Sequence, residues 1–568
     1  MEGAFLSYKY IFKYSQYKFR EHEKLLAKYE IFSLFRGKNI IKVEEQNDFL
    51  ALYTDSFIDL EKLKNLTFTS SVKIVTHTKK QTVIPIQVYL EKIADVPFKS
   101  QNEGEIREKV ADILKNIHKY PRKRMTRYLV HGFHQYKGRF YPQLVKALLN
   151  YAGVNKGDVI LDPFCGSGTT LVEARLLGLN SIGVDINPLA CLISKVKIES
   201  LYFDNLEDLK AEIKALLHRI LEDFIANNLL IYGQPPIQTF LFPITERGNN
   251  IEELLPPDMP NIDKWFNPDV LKKILLIRKN ILKIKSEKIK NLCLLALSNI
   301  LRQVSNQDPE QLRRMLRKKP IKKVPVYQKF KQSLMQIYLT LYALYELRQR
   351  KIIKNYESVV EIYNKDARNL NFLSDNSIDL ILTSPPYATA LPYLDTDRFS
   401  LYFLGFVDRK RYKELERNMI GNREISYKER LALELDFLKN YDSLPLPTEA
   451  KQLIYKLLTL VRKYKVGFRR KNTPALLYKY FMDMMLCLKE MRRVLKTGKL
   501  LIIIVGENRT KIGEKIIRID TDDIIAKMAK KLGFKLLEKI PVTPPPKHAI
   551  HRKQAIMTET IQVFKKLN

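Results

Sequence analysis

At 568 residues the chain is too long for one ordinary domain, and its 45% hydrophobic content belongs to a globular protein of two to four domains, not a disordered or fibrous one. Lys and Arg outnumber Asp and Glu by 98 to 62, a formal net charge of +36 that exceeds any need for solubility and implies a polyanionic partner, nucleic acid above all. The four cysteines, Cys165, Cys191, Cys293 and Cys487, are scattered without a C-x-x-C pair, so neither a zinc site nor a disulfide framework is indicated, and a reducing cytoplasm is expected.

Between Met1 and Phe19 the apolar residues are interrupted by Lys9, Lys13 and Lys18, so no signal peptide is read, and no apolar run reaches the length of a membrane span. Residues 1–115 are expected to form an N-terminal α+β module of ferredoxin-like order. Tyr8–Tyr14 alternates like a half-buried strand. Glu21–Phe35 has helical spacing, with Leu25, Leu26, Tyr29, Phe32 and Phe35 on one broad face and Gly37 as its stop. Ile40–Val43 and Phe49–Tyr53 suit a strand pair, with further strands at Val72–Val75 and Val83–Val88.

Pro121-Arg122-Lys123-Arg124 reads as a basic linker. The segment His131–Pro142, HGFHQYKGRFYP, then leads into a helix over Gln143–Leu149. With no third ligand in reach, His131 and His134 are read as structural or pocket-lining, and no metal site is expected. Val159-Ile160-Leu161 is a short buried strand, followed by Asp162-Pro163-Phe164-Cys165-Gly166-Ser167-Gly168-Thr169-Thr170, a helix over Leu171–Leu177 stopped by Gly178, and a second strand, Ser181–Val184, ending on Asp185. Strand, glycine turn, helix, strand and acid make the first half of a nucleotide-binding βαβ unit. Residues without Cβ let the backbone approach a ligand closely, and Asp185 is placed to accept hydrogen bonds from ribose hydroxyls. The turn lacks the full G-x-G-x-x-G spacing, and Asp162 would repel a pyrophosphate. A carboxylate there suits a cationic ligand with an amino group and no phosphate, a description that S-adenosyl-L-methionine fits.

Residues 201–355 turn helical and basic, with helices over Leu206–Ile225, Pro268–Ile284 and Asn291–Val304, Trp265-Phe266 ahead of the second, and a cation block at Arg313–Lys323. This block reads as an insertion and a candidate target-recognition region. A strand over Val359–Tyr363 ends near Asp366-Ala367. Another, Leu380-Ile381-Leu382, runs into Thr383-Ser384-Pro385-Pro386-Tyr387. Leu391–Arg398 is expected to cap the site, with Asp395, Asp397 and Arg398 either positioning substrate or pairing with one another. A second helical basic insertion spans 406–475. A helix over Tyr478–Leu495, a strand over Leu500–Val505, a helix over Thr521–Leu532 and an antiparallel pair at Lys535–Ile540 and Ala555–Phe564 complete the chain, with an irregular loop at Pro541–His551 between the last two.

The run D-P-F-C-G-S-G-T at Asp162–Thr169 resembles motif I of the amino-methyltransferases of DNA, which act on cytosine N4 or adenine N6. It is also similar to the corresponding motif of certain tRNA guanine methyltransferases. The resemblance implies a Rossmann-like seven-stranded α/β sheet over 116–200 and 356–568, a site-specific DNA methyltransferase in a restriction-modification context, and S-adenosyl-L-methionine as donor. It places the donor against Asp162, Phe164, Gly166, Gly168, Thr169 and Asp185, with Asp366 and Ala367 at the motif that meets its adenine. His131–Pro142 resembles the segment that packs on the methionine end of the donor. Ser384-Pro385-Pro386-Tyr387 resembles the catalytic tetrad in its S-P-P-Y form. An exocyclic amine is a poor nucleophile while its lone pair is delocalised into the ring. The Ser384 hydroxyl and Pro385 carbonyl, on a backbone stiffened by two prolines, would accept its N–H groups, and Tyr387 would stack an extruded base. Serine at the first position favours cytosine N4 in the family. The large block stands before the Asp366 motif and not directly before the tetrad, a departure from the family's usual order. A tRNA guanine-N2 methyltransferase and a nucleic-acid-binding protein with a vestigial donor site are the alternative readings.

Overall fold

The computed structural model describes residues 8–15, 17, 19–119, 123–136, 138, 140–229, 257–308, 315–319, 323–388, 393–542 and 559–568. The first strand, β1 (Tyr8–Tyr14), buries Tyr10, Phe12 and Tyr14 on one face, as its alternation requires. It is followed by α1 (Glu21–Leu34), β2 (Ile40–Glu45), β3 (Phe49–Thr54), α2 (Leu60–Lys64), β4 (Thr69–Val75) and β5 (Lys80–Val83). The strands form an antiparallel sheet of order β2-β3-β1-β4-β5, which is the ferredoxin-like βαββαβ order with one added edge strand. The expected strand over Val83–Val88 is corrected: the chain turns at Pro85 into α3 (Ile86–Ile93). Proline has the φ a helix start needs and no N–H to leave unpaired there. The face of α1 also differs from expectation. Its buried stripe is His22, Glu23, Leu26, Ala27, Glu30 and Ile31, while Phe32 is exposed. Polar partners rather than apolar count set that rotation. Glu30 accepts from Asn150, His22 meets the Tyr141 hydroxyl at 2.9 Å, and Glu23 pairs with Arg124.

After α4 (Glu103–Lys115) and α5 (Pro142–Ala152) the main sheet begins with β6 (Val159–Asp162), α6 (Thr169–Leu176), β7 (Asn180–Val184) and α7 (Pro188–Ser200). Helices α8 (Leu206–Ala226), α9 (Ile262–Trp265), α10 (Pro268–Leu282), α11 (Glu287–Val304) and α12 (Val326–Gln349) intervene before β8 (Val360–Tyr363) and β9 (Ile378–Thr383). Then come α13 (Tyr393–Phe403), α14 (Arg409–Asn418), α15 (Tyr427–Lys439), α16 (Thr448–Lys463), α17 (Phe468–Lys471), α18 (Thr473–Val494) and β10 (Leu495–Gly506). A hairpin, β11 (Asn508–Ile512) and β12 (Lys515–Ile519), precedes α19 (Thr521–Lys531), β13 (Phe534–Val542) and β14 (Glu559–Lys566). The seven-stranded sheet has the order β13-β14-β10-β9-β6-β7-β8, with β6 to β10 parallel and β14 antiparallel to both its neighbours. This is the Rossmann-like methyltransferase sheet.

Three apolar clusters explain the layering. Ile160, Leu380, Ile502 and Ile504 on one face of the sheet share a core with Leu144 and Leu148 of α5 and with Leu26 and Ile31 of α1. The N-terminal module is therefore continuous with the catalytic sheet and not appended to it. Leu161, Ile381, Leu501 and Ile503 on the other face pack with α18, α19 and Phe437 of α15. The helices of the large block, α8 and α10 to α12, join α3, α4, α7 and α13 in one helical layer. Of the cation block expected at Arg313–Lys323, residues 313, 314 and 320–322 lie outside the described residues, as does the loop at Pro541–His551 from residue 543 onward. No helix among the described residues is long and apolar enough to cross a membrane.

Candidate active site

Strands β6 and β9 are neighbours and parallel, so the glycine loop and the S-P-P-Y loop leave the same edge of the sheet side by side. One carboxylate joins them. Asp162, at the end of β6, accepts from the Thr170 hydroxyl at 2.7 Å, from the Thr383 hydroxyl at 2.7 Å and from the Phe164 amide at 3.1 Å. Thr383 closes β9 directly ahead of the tetrad.

The glycine loop is shaped by its glycines and gripped from α7. Gly166 and Gly168 have φ of +50° and +74°, and a Cβ on Gly168 would lie 2.7 Å from the Ser194 hydroxyl oxygen. Ser194 donates to the Gly166 carbonyl at 2.9 Å, and Lys197, fully buried, donates to the Ser167 carbonyl at 2.8 Å. Gly168 caps α6, and Thr169 is its buried first residue. Cys165 is buried against the place a Gly183 side chain would fill, in keeping with a packing role.

Asp185 accepts from the Gly166 amide at 2.9 Å and from the Asn187 amide at 2.8 Å. The Asn187 side chain, buried, extends the chain of contacts: it donates to Asp397 of α13 at 2.9 Å and reaches the Tyr136 hydroxyl at 3.4 Å. The Tyr136 ring in turn lies 3.3 Å from where a Gly166 side chain would stand. Three carboxylates thus gather along one line. Burial pushes Asp162 and Asp185 up to about 6 and Asp397 up to about 7, and the charge of Asp185 adds to the shift of Asp397. No Lys or Arg ion-pairs with any of the three among the described residues.

The tetrad follows β9, whose six residues are all buried. Ser384 and Pro386 are partly exposed, Pro385 and Tyr387 are buried. The loop is held from two sides: Asn508 donates to the Ala388 carbonyl at 2.6 Å, and a Cβ on Gly421 (φ +76°) would come within 3.1 Å of the Tyr387 carbonyl. Asp366 and Ala367 lie beyond β8. The Asp366 carboxylate is chelated by Arg368, which also bonds Asp483 and the Asn418 carbonyl, while Ala367 is buried. His131 bonds Glu173 at 2.8 Å, and Glu173 also takes the Tyr128 hydroxyl. His134 bonds Ser298, which bonds Ser400. His131 is thereby tied to α6 and His134 to α11. Arg398 lies over the Trp265 ring at 4.3 Å, and Asp397 turns to Asn187. Leu391 and Pro392 lie outside the described residues. Ser194, Lys197, Asn187 and Thr383 were not anticipated from sequence. Only the D-I-N-P turn, in which Asn187 caps α7, carried a local signal.

Sheet order and paired loops define an S-adenosyl-L-methionine-dependent methyltransferase. The DNA methylase family N6_N4_Mtase matches residues 5–196 and 378–568, and the chain belongs to it. It is 29% identical to the Type II methyltransferase M.BsoBI of Geobacillus stearothermophilus over 432 residues, 72% of this chain and 79% of that protein. It is 27% identical to the Type II methyltransferase M.MvaI of Kocuria varians over 429 residues, covering 73% and 85%. A stretch of 52 residues is 48% identical to the tRNA (guanine(10)-N2)-dimethyltransferase of Methanothermobacter thermautotrophicus, 9% of this chain and 16% of that protein. The protein is thus an amino-methyltransferase of DNA, of the N4 or N6 type. The donor set fits its cofactor. Buried carboxylates with raised pKa values and no Lys or Arg ion-paired to them among the described residues favour a ligand bearing positive charge, and S-adenosyl-L-methionine carries a sulfonium and an ammonium.

Proposed function

We propose that this enzyme methylates the N4 amino group of cytosine, at a specific site in duplex DNA. The observation that carries the reading is the Thr383–Asp162 hydrogen bond, which sets a serine-headed tetrad against the donor loop. Bound S-adenosyl-L-methionine supplies an electrophilic methyl. In this reading Gly166 and Gly168 admit the donor to the backbone, while Asp162, Phe164, Thr169 and Asp185 line its site. Asp366, both of whose oxygens accept from Arg368, meets the adenine of the donor beside Ala367. The Ser384 hydroxyl and the Pro385 carbonyl accept the two N–H groups of the target amine. This localises the nitrogen lone pair and aims it. Pro386 fixes the backbone that holds both acceptors, so little reorganisation is needed at the moment of transfer. Tyr387 receives the extruded base. Serine at the first position is what the family resemblance associates with cytosine N4, and similarity to two Type II methyltransferases supports a site-specific role.

The test is nucleoside mass spectrometry after incubation with donor and either duplex DNA or tRNA. N4-methylcytosine in DNA is expected, and Ser384→Ala should lower kcat roughly 10²- to 10³-fold with unchanged donor affinity and Tm. The ferredoxin-like module and the short tRNA-enzyme similarity favour one second reading, guanine-N2 methylation of tRNA. N2-methylguanosine in tRNA, with unmodified DNA, would replace the first reading by the second.

A further inference from the structure

The large helical block was the sequence-based candidate for target recognition. Its described helices pack with one another and with α3, α4, α7 and α13. The segments that touch the tetrad are others. Gly421, in the loop after α14, lies against Pro386 and Tyr387, and Asn508, at the start of the β11–β12 hairpin, holds Ala388. Both lead to the same place. The loop is tied to the end of α17 by Asn472, whose side chain donates to the Ile425 carbonyl, and by the Arg469–Glu424 ion pair at 3.5 Å. The hairpin meets the end of α16, where Gly513 is so close to Tyr464 that a Cβ would lie 2.9 Å from the ring.

That meeting point is densely cationic. Residues 462–471, RKYKVGFRRK, hold six cations and no acid, and the hairpin adds Arg509, Lys511, Lys515 and Arg518; of these, Arg462, Arg469, Lys511 and Arg518 are ion-paired with Glu434, Glu424, Glu514 and Glu507. Lys465, Arg470, Lys471 and Lys515 are exposed and have no acidic partner among the described residues. Phe468, 51% exposed, stands among them as a flat apolar face. Uncompensated like charges at this density raise the energy of the free protein, and a phosphate chain relieves it. Aromatic faces among cations suit a surface that meets both phosphates and bases.

We propose that the α16–α17 turn and the β11–β12 hairpin form one surface that holds the DNA backbone beside the extruded base. This rests on DNA being the substrate. Phosphates gripped here place the target nucleotide over the tetrad, through the two segments that also fix the tetrad's backbone. The test measures duplex binding by fluorescence anisotropy across a salt series, with the variant Lys465→Ala/Arg470→Ala/Lys471→Ala. A matched control, Lys73→Ala/Lys79→Ala/Lys80→Ala, removes three exposed cations from the far edge of the N-terminal sheet. The first variant should bind DNA at least tenfold more weakly, with the slope of log K against log salt reduced by about 2 to 3. Its donor affinity should be unchanged and its Tm no lower than that of the wild type, and the control should bind as the wild type does. Equal losses in both variants, or no loss in the first, overturn the proposed surface while leaving the substrate intact. Wild-type protein that binds no duplex DNA overturns the substrate reading and the surface with it.

Discussion

Asp397 stands on the helix that follows the tetrad, yet its carboxylate faces Asn187 and Asp185 at the end of β7. Asn187 donates to it, Thr396 adjoins it on its own helix, and Asp185 and the Tyr136 hydroxyl lie close by. Its pKa, about 7 in the folded protein, is raised above the unfolded value. The stability this group contributes is therefore complete below pH ~4 and is lost as pH rises through about 7. Asp397→Asn should raise the Tm of the donor-free protein at pH 8 and leave it nearly unchanged at pH 4, as thermal melts would show. The same substitution should weaken donor binding at pH 8 and flatten its rise with pH between 6 and 8, measured by calorimetric titration. A variant with wild-type donor affinity across that range would reduce Asp397 to a packing residue. Sequence left Asp397 undecided between substrate and Arg398. The choice depends on Asn187, which is 210 positions away and has no periodic relation to it.

At the scale of elements, the joint between β6 and β9 is the part most open to test. Thr383→Val keeps the shape and deletes the hydroxyl that bonds Asp162. The loss should cost about 1–3 kcal/mol of stability. Because that hydroxyl stabilises the ionised carboxylate, the cost should be larger at pH 8 than at pH 5, where Asp162, at about 6, is mostly protonated. Denaturant unfolding at the two pH values checks this, and equal losses would mean that Asp162 does not sense the hydroxyl. The strands and turns of this region were legible because each is a short apolar run ended by Gly, Pro or an acid. The hairpin β11–β12 was not, since its alternation is brief and its one tight turn, Glu514 beside Gly513, sits among charges. The burial face of α1 was misread because Glu23 and Glu30 are buried through partners in α5 and beyond, and apolar spacing cannot register such partners.

For the whole molecule, the shared core of α1, α5 and the main sheet makes the N-terminal module part of one folding unit. A chain beginning at Ile84 would expose Leu144, Leu148 and Leu149 of α5, all buried in the intact protein. It should unfold without a cooperative transition by circular dichroism, whereas the full chain should melt with this module and the sheet in a single step. Cooperative melting of the shortened chain, with donor binding retained, would show the module to be dispensable. The order of the sheet and the two motifs could be foreseen from sequence. That the described helices of the large block share one core could not, because membership in a core is decided by what lies opposite a helix and not by its charge.

The hydrogen bond between Thr383 and Asp162 spans 221 positions. At cellular elongation rates of ~5–20 residues per second, roughly ten to forty seconds separate the synthesis of its two ends. Through that interval the nascent glycine loop has Thr170 and β7 beside it but neither Thr383 nor β9. The catalytic junction thus forms only after all the intervening helices have been made, and a ribosome that stalls within them releases a chain with a donor loop and no means of transfer.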